Sequence, residues 1–370
     1  MKILALEPFY GGSHRYFIDG LMVGSQHDWS LYSLPDSAWR WRMRHSAVYF
    51  AEKIRGDTND YDLIFCTSMV NIAELKGLLP ERLRDVPVVV YFHENQATYP
   101  VYGSEPSTGA LMDNFVSALS AEQVWFNSEW NRQSLLNGLF AFFKKVPDNS
   151  PADQLELIHE KSHIMPLWVM CSGHQVDVPK PGPLHILWSA RWERDKNPHD
   201  FFRALRILKN RKVDFRLSVL GECPDSYPPI FDHAREMFAD NIMHWGYKNS
   251  RDKYFEAIAE ADIMVSTSEH EFFGISVLEA AACGVRPVLP KRLSYPEIFI
   301  DDRKRLLEDY FYGNDSGELA DCLEKLAALK DLDGNVCISL KIKPDDVAER
   351  YSARRLILSY DNAFTTVVQS

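Results

Sequence analysis

Two glutamates at a predicted strand-to-helix junction are the residues best placed to do chemistry. Glu271 and Glu279 lie on either side of Gly274 in the stretch IMVSTSEHEFFGISVLEAAACG. The hydrophobic pattern predicts a strand over residues 263–265, then a polar loop, then a helix over residues 274–283. The two carboxylates therefore bracket the point at which the helix begins.

A helix N-terminus binds anions because its first N–H groups are unpaired and it carries a partial positive charge. The backbone of Phe273, Gly274 and Ile275 can therefore hold a phosphate, and glycine lets the backbone approach closely. Carboxylates on either side can accept hydrogen bonds from hydroxyls, which is the layout a sugar nucleotide needs. An ordinary junction, with one capping acid and one solvated acid, remains the alternative for so short a motif.

Two cations lie in a second loop of the same kind. Arg191 and Lys196 separate a predicted strand over residues 184–189 from a helix that Asn197 caps and Pro198 begins. Together they can neutralise a diphosphate and stabilise it as a leaving group. Either one alone is equally consistent with a solvated surface charge.

The first half of the chain predicts a doubly wound α/β domain. Its apolar strand candidates, with helical patterns between them, cover residues 2–7, 29–34, 63–66, 88–92 and 123–127. A turn over residues 8–14 places Gly11 and Gly12 beyond the first strand, at the edge where such domains bind ligands. A plain tight turn explains the same pair.

His93 and Glu94 follow directly on the strand over residues 88–92, in the block YFHENQATYP. Polar side chains at successive strand ends converge on one rim of a parallel sheet, which makes His93 a candidate catalytic residue. A single histidine is also often a structural hydrogen-bonding residue.

The segment from Trp39 to His45, WRWRMRH, interleaves aromatic and cationic side chains. That mixture suits phosphates and stacking on unpaired bases. The packing of an ordinary amphipathic helix is the alternative.

Composition narrows the class of protein. The chain has 370 residues, 46% of them apolar, and a net charge of −11, which argues against broad nucleic-acid binding while allowing a local basic patch. Six scattered cysteines without a C-x-x-C pair indicate neither a disulfide framework nor a zinc site. The absence of a signal peptide pattern and of a membrane-spanning apolar run makes the cytoplasm the expected location, without membrane partners. No pattern predicts an oligomeric state.

An ordered series of motifs in the second half resembles the C-terminal half of retaining glycosyltransferases with the GT-B fold. The series runs Ala190-Arg191-x4-Lys196, Leu220-Gly221, Gly246-Tyr247, Tyr254, Ala261-Asp262, Ser268-x2-Glu271-x-Phe273-Gly274, Leu278-Glu279-Ala280 and Cys283-Gly284-x2-Pro287-Val288. The resemblance implies two Rossmann-like domains facing across a cleft. We expect an acceptor-side domain over residues 1–170, a donor-binding domain over 180–345, and a C-terminal helix over 346–370 that crosses back to the first domain.

Further motifs narrow the resemblance. LEPFYGGSH, LPDSAWRWRMRHSAVYF, YFHENQATYP, HWGY and YPEIF are similar to the tRNA-queuosine mannosyltransferase family, from residue 2 to about residue 300. That family moves mannose from GDP-mannose to the cyclopentenediol of queuosine in the anticodon of aspartate tRNA. The resemblance implies a nucleotide sugar and a tRNA as partners and no cofactor other than the donor substrate.

The family pattern also implies roles for the donor-side residues. Glu271 would lie by the donor sugar and Glu279 would bind the ribose hydroxyls. The diphosphate would be held by cations, backbone N–H groups and the glycine turn, namely Arg191, Lys196, Phe273, Gly274, Ile275, Gly11 and Gly12. His93 matches a histidine that touches the donor sugar in related enzymes.

No metal is expected, because the reaction needs electrostatic stabilisation of the leaving diphosphate more than a base. Asp331-Leu332-Asp333 has the spacing of a metal motif but lies in a segment that the resemblance does not cover. Candidate tRNA contacts are the aromatic and basic side chains Arg40, Trp41, Arg42, Arg44, Lys144 and Lys145.

Two other functions fit the same fold. One is a related GT-B enzyme acting on a lipid or polysaccharide, which activity without tRNA would indicate. The other is a sugar-nucleotide isomerase, which would convert the donor without any acceptor.

Overall fold

The computed structural model describes residues 1–99, 108–169, 180–313 and 315–369. The chain forms two compact units, Met1–Trp168 together with Ala353–Ser370, and Val169–Ser352. It passes between them twice, and the predicted domain boundaries lie close to these two crossing points.

The first unit is built on a six-stranded sheet with the order β2-β1-β3-β4-β5-β6, in which every pair of neighbours is parallel. Its strands are β1 (Lys2–Tyr10), β2 (Asp28–Pro35), β3 (Leu63–Thr67), β4 (Val88–Phe92), β5 (Gln123–Phe126) and β6 (Ser162–Ile164). Its helices up to the first crossing are α1 (Gly12–Gly24), α2 (Trp39–Arg55), α3 (Ile72–Leu78), α4 (Thr108–Ser120), α5 (Glu129–Phe143) and α6 (Gln154–Glu160).

The second unit repeats the plan with the strand order β12-β11-β10-β7-β8-β9, again parallel throughout. Its strands are β7 (Leu184–Ser189), β8 (Phe215–Leu220), β9 (Ile242–Gly246), β10 (Ile263–Val265), β11 (Arg286–Pro290) and β12 (Phe311–Tyr312). The helices that follow in the chain are α7 (Pro198–Asn210), α8 (Ile230–Met237), α9 (Arg251–Ala259), α10 (Ile275–Ala282), α11 (Tyr295–Ile298), α12 (Ser316–Asp333) and α13 (Pro344–Glu349). The last helix, α14 (Ala353–Gln369), returns to the first unit.

Each sheet has one point at which the direction of winding reverses. It lies between β1 and β3 in the first unit and between β7 and β10 in the second. In doubly wound sheets, ligands bind outside the carboxyl ends of the strands at this point. The loops after β1, β3, β7 and β10 are therefore the positions to inspect.

The central strands have the sequences that such sheets require. Every residue of β3, β4 and β7 is buried, because helices cover both faces of a parallel sheet. The amphipathic helix α7 packs Phe201, Phe202, Leu205 and Leu208 inward. Its cap follows the prediction, since the Asn197 side chain accepts a hydrogen bond from the Asp200 backbone N–H at 3.2 Å.

The turn predicted over residues 8–14 is wrong for most of its length. Strand β1 continues to Tyr10, and helix α1 already begins at Gly12. Pairing with β2 passes from Glu7–Ser33 to Tyr10–Pro35 through an irregularity that contains Pro8. Proline has no N–H to donate, and an irregularity of this kind is where a strand tolerates one.

Two helices, rather than one, occupy the predicted C-terminal helix over residues 346–370. Helix α13 ends at Glu349 and α14 begins at Ala353. Between them the Tyr351 carbonyl accepts a hydrogen bond from the Val169 backbone N–H at 2.8 Å. The Tyr351 carbonyl is thus bonded to Val169 rather than within a helix, at the point where the chain leaves the second unit.

Candidate active site

A pocket lies at the carboxyl ends of β7 and β10, the point of reversal of the second sheet. Polar groups from both strand ends and from the start of α10 line it, among them Ser189, Ser266, Ser268, Glu271 and Ser276. Hydroxyl and carboxylate groups at this edge can hydrogen bond a polar ligand. Of the predicted residues, Lys196 lies in the segment after β7, Glu271 in the loop after β10, and Glu279 on helix α10.

Lys196 is the buried cation of this region. Its Nζ donates to the His270 carbonyl at 2.7 Å and lies 3.3 Å from Oε2 of Glu271 and 3.3 Å from Oδ2 of Asp195. The loop that carries it is fixed by Thr267, whose hydroxyl donates to the Lys196 carbonyl at 2.8 Å. The two loops predicted to carry donor-binding residues are thus joined through Lys196.

Lys196 and Glu271 each favour the charged form of the other. Burial alone would lower the pKa of Lys196, but Glu271 and Asp195 outweigh it and raise that pKa. Burial alone would raise the pKa of Glu271, but Lys196, with a backbone N–H of Phe273, brings it below its ordinary value. At neutral pH the pair is an ammonium and a carboxylate.

Helix α10 begins beside this pair. Gly274 precedes it with a φ of +91°, and a Cβ at that position would lie 2.7 Å from Cε1 of Tyr295. Glycine is therefore required both for the backbone conformation and for the space. The Phe273 carbonyl is already bonded, since it accepts the Ser294 hydroxyl at 2.9 Å. These contacts fix the position of the N–H groups in the first turn of α10.

Glu279 is buried on α10 and held by two donors. Its Oε1 accepts from Nη2 of Arg251 at 2.8 Å, and its Oε2 accepts from the Tyr254 hydroxyl at 3.1 Å. The Tyr254 hydroxyl also lies 3.2 Å from Oγ of Ser189 at the end of β7. Burial raises the pKa of Glu279, and Arg251 and Tyr254 oppose that rise.

Arg191 takes a different position from Lys196. Its side chain is half exposed, and its Nη2 lies 3.2 Å from Oε2 of Glu193. Arg251 was not predicted from the sequence, although a cation in the first turn of α9, three residues before Tyr254, was a visible signal.

In the first unit, Gly11 and Gly12 lie at the start of α1, directly beyond β1. Gly11 caps the helix without a side chain, and a Cβ there would lie 1.8 Å from Oδ2 of Asp36. Gly12 has a φ of +49° and open space around it. The pair therefore forms a glycine entry to the N-terminus of α1.

His93 belongs to a buried cluster at the point of reversal of the first sheet. Its ring stacks on that of His14, with 4.0 Å between the centroids, and contacts the edges of Phe17 and Tyr91. Both ring nitrogens are buried, and within the described ranges of the chain neither has a hydrogen-bond partner. Buried polar atoms without a partner are uncommon in folded proteins, which marks this imidazole as unusual.

Two carboxylates clamp His14 beneath His93. Its Nδ1 lies 3.3 Å from both oxygens of Glu7, and its Nε2 lies 3.5 Å from Oε2 of Glu94. The Thr67 hydroxyl donates to the same Glu7 at 3.2 Å. Burial alone would lower the pKa of His14, but Glu7 and Glu94 outweigh it and raise the pKa to about 10.

The neighbouring imidazole behaves in the opposite way. Burial, and to a smaller extent the charge on His14, lowers the pKa of His93 well below its ordinary value of 6.5. Glu7, His14 and His93 also offer ligand atoms within 4.8 Å of one another, a composition compatible with a metal ion. Both His14 nitrogens face carboxylates, however, whereas a metal ligand needs a free lone pair, so we interpret the cluster as a hydrogen-bonded ion pair.

Comparisons with known proteins identify the family of the chain. A family model described as tRNA-queuosine alpha-mannosyltransferase N-terminal matches residues 2–169, and one described as Glycosyl transferases group 1 matches residues 174–310. The tRNA-queuosine alpha-mannosyltransferase of Drosophila melanogaster is 36% identical over 309 residues, covering 80% of this chain and 81% of that protein. The chain belongs to the tRNA-queuosine alpha-mannosyltransferase family. It is a glycosyltransferase.

Solved structures agree with the fold of this family member. Sucrose-phosphate synthase from Thermosynechococcus elongatus aligns with a TM-score of 0.71 at 14% identity, over 99% of both chains. HepE from Anabaena, solved in complex with UDP, aligns with a TM-score of 0.68 at 13% identity, over 99% of this chain and 100% of that one. The predicted GT-B fold is confirmed.

The residues predicted to contact tRNA lie mainly on helix α2 of this family member. The three arginines of that set have different partners. Arg40 packs over the Trp39 ring at 4.7 Å, Arg42 donates to the Pro35 carbonyl at 3.2 Å, and Arg44 pairs with Asp113 at 3.0 Å. Lys144 lies apart from them, directly after α5, where its Nζ is 4.3 Å from the centroid of the Phe140 ring.

The remaining predictions for this family member concern two exposed sites and the membrane. Asp331 and Asp333 are exposed in the last turn of α12. Lys145 is exposed just after α5. Among the residues that the structure describes, no helix is long and apolar enough to cross a bilayer.

Proposed function

We propose that this enzyme transfers mannose from GDP-mannose to the cyclopentenediol of queuosine in the anticodon of aspartate tRNA, with retention of configuration. The similarity to the Drosophila enzyme, which extends along most of both chains, supports the acceptor. The observation that carries the donor side is the grouping of Lys196, Glu271 and Glu279 around the strand ends of β7 and β10. A tRNA substrate also makes the cytoplasm the expected place of reaction.

The donor would be held by charge and by backbone. Lys196 and Arg191 neutralise the diphosphate, and the N–H groups from Phe273 to Ile275 add the field of a helix N-terminus. Glu279, aligned by Arg251 and Tyr254, accepts hydrogen bonds from the ribose hydroxyls. Each role uses a group already ordered before the donor arrives, which limits the entropy lost on binding.

The transfer is a substitution at the anomeric carbon on one face of the sugar. The bond between that carbon and the diphosphate oxygen breaks, and a bond to the acceptor oxygen forms on the same side. The acceptor proton passes to the leaving phosphate oxygen, so no protein base is needed. Lys196 stabilises the negative charge that develops on the diphosphate, which is the dominant requirement of such a step.

In the first unit, His93 would contact the transferred sugar, and the turn at Gly11 and Gly12 would bind donor phosphate. A neutral imidazole both donates and accepts a hydrogen bond, as a sugar hydroxyl does. We propose that no metal takes part, because cationic side chains supply the charge.

The test is a transfer assay with purified protein, GDP-mannose and queuosine-containing aspartate tRNA, read by nucleoside mass spectrometry. We expect a hexose on queuosine that α-mannosidase removes, and an unchanged rate when EDTA is added. Lys196→Ala should reduce the rate by about 100-fold or more. Lys291→Ala is the matched control, since that lysine is half exposed in the same unit, pairs with Glu308 and does not line the pocket.

Different failures would have different meanings. Donor binding without transfer to tRNA would point to another acceptor, whereas conversion of the donor alone would point to isomerisation. A product resistant to α-mannosidase would contradict retention, and loss of activity in EDTA would contradict the metal-free mechanism.

A further inference from the structure

A row of stacked side chains runs along one face of α2. Trp41, His45, Tyr49 and Lys53 are spaced four residues apart, so each lies one turn above the last. The Trp41 and His45 rings stack at 5.2 Å with 15° between their planes, and His45 and Tyr49 lie 5.8 Å apart. The Lys53 ammonium ends the row, 5.5 Å from the Tyr49 centroid. We call these four side chains the α2 ladder.

The ladder is open to solvent at the Trp41 end. That indole is 58% exposed, and Val48 on the same face is 53% exposed. The side of α2 that supports the fold is a different one, made of Met43, Ala47, Phe50, Ala51 and Ile54. An exposed tryptophan held parallel to a second ring is poorly explained by core packing, whereas it has the form of a stacking platform.

The helix that carries the ladder is rich in basic residues. Helix α2 carries five cations and one acid, Glu52; the cations are Arg40, Arg42, Arg44, Lys53 and Arg55. The whole chain, by contrast, has a net charge of −11. A local excess of cations beside aromatic rings complements a phosphate backbone with unpaired bases.

We propose that the α2 ladder is a nucleobase-stacking site, in which Trp41 receives an unpaired base of the anticodon loop while Arg40 and Lys53 contact backbone phosphates. This rests on the proposed function and names the surface by which the same enzyme holds its RNA. Arg42 and Arg44 have a structural role instead, because their hydrogen bonds to Pro35, Ser37 and Asp113 fix the start of the helix. Stacking tolerates any base, so this surface supplies affinity rather than sequence selection.

The test uses the full chain and an anticodon stem-loop RNA that carries 2-aminopurine in the loop. Stacking on Trp41 should quench the probe in the wild-type complex, and Trp41→Ala should abolish that quenching and weaken binding about 5- to 100-fold. Trp41→Phe should retain part of both signals. The salt dependence of binding should be unchanged in Trp41→Ala, whereas Arg40→Ala should lower its slope by about 1.

Leu157→Ala is the matched control, because Leu157 is a 48% exposed apolar side chain elsewhere in the same unit. It should bind the RNA as the wild type does. Wild-type affinity and quenching in Trp41→Ala would overturn the inference while transfer to tRNA still upheld the proposed function. A change only in self-association, seen by ultracentrifugation, would overturn it too and assign the ladder to a second copy of the chain. Wild-type protein that neither binds nor modifies tRNA would overturn both.

Discussion

At the scale of single residues, the site is a set of charges that are already paired. Lys196 lies between Glu271 and Asp195, and Glu279 lies between Arg251 and Tyr254. Buried charges persist only when partners offset the cost of leaving water. A diphosphate that approaches Lys196 therefore competes with carboxylates, and a ribose that approaches Glu279 meets an acceptor whose orientation is set in advance.

We predict that Glu279→Gln raises the KM for the donor about tenfold or more with little change in kcat. In the proposed binding mode the ribose is remote from the bond that breaks, so its contacts would stabilise ground state and transition state alike. Steady-state kinetics with varied donor will measure this. Tyr254→Phe, which removes one of the two donors to Glu279, should give a smaller effect in the same direction. A fall in kcat at constant KM would place Glu279 at the reacting centre instead.

The paired histidines predict a specific pH dependence of stability. The pKa of His14 is raised from 6.5 to about 10, so its stabilising ion pairs are fully present below about pH 6.5 and are lost as the pH rises through about 10. The difference in unfolding free energy between wild type and His14→Gln should therefore shrink as the pH rises over that interval. Urea unfolding at several pH values will measure it.

In the same pH range NMR should find His93 neutral, because its pKa is lowered well below 6.5. A difference between wild type and His14→Gln that grows with pH would contradict the assigned ion pairs.

At the scale of elements, the entry to α10 fixes the helix N-terminus at which we propose that the donor phosphates bind. Gly274 holds a left-handed backbone conformation against Tyr295, whose hydroxyl lies 2.8 Å from Oγ of Ser266 after β10. The start of the helix is thereby fixed against the strand end that lines the pocket.

We predict that Gly274→Ala destabilises the second unit by about 1–3 kcal/mol from the backbone conformation alone, and by more from the clash with Tyr295. Gly284→Ala separates the two causes. Gly284 has a φ of +74°, but a Cβ at that position would have no atom within 4 Å, so that variant should lose only about 1–2 kcal/mol. Urea unfolding will measure both variants. Equal losses of unfolding free energy in the two would show that Tyr295 moves aside without a measurable loss of stability.

Local signals were sufficient for most elements of the sheets. Strands β4, β7 and β10 have the predicted bounds, because each is a largely apolar run between polar residues. The cap at Asn197 is likewise encoded by neighbouring residues. Contacts between distant parts of the chain were not predictable in this way. The stacking of His14 on His93 and the bond from Arg251 to Glu279 arise only when separate strand ends and helices meet.

At the scale of the whole molecule, the second crossing of the chain completes the first unit. Tyr360 and Phe364 of α14 are fully buried, and the Tyr360 hydroxyl donates to the Met165 carbonyl at 2.7 Å. Phe364 lies 4.8 Å from the Trp125 ring centroid on β5. Asp361 accepts a hydrogen bond from the Gln26 backbone N–H at 2.9 Å. Helix α14 is thus part of the core of the first unit.

We predict that Phe364→Ala lowers the stability of the first unit by about 3–5 kcal/mol, because it empties a site among buried aromatic rings. Val368→Ala, on the same helix but 37% exposed, is the control and should cost far less. Differential scanning calorimetry should show a lower transition temperature for one unit in Phe364→Ala. A uniform shift of a single transition would mean that the two units unfold together.

The return of α14 also orders events during synthesis. The ribosome makes the strands of the first unit before any of the second, yet the helix that fills its aromatic core is made after the whole of the second unit. Until α14 is made, Trp125 and Phe65 of the nascent first sheet therefore lack Phe364, which contacts both of them in the folded protein. Transiently exposed apolar surface is prone to aggregation, so slow synthesis of the second unit would prolong the interval in which the chain is most exposed to it.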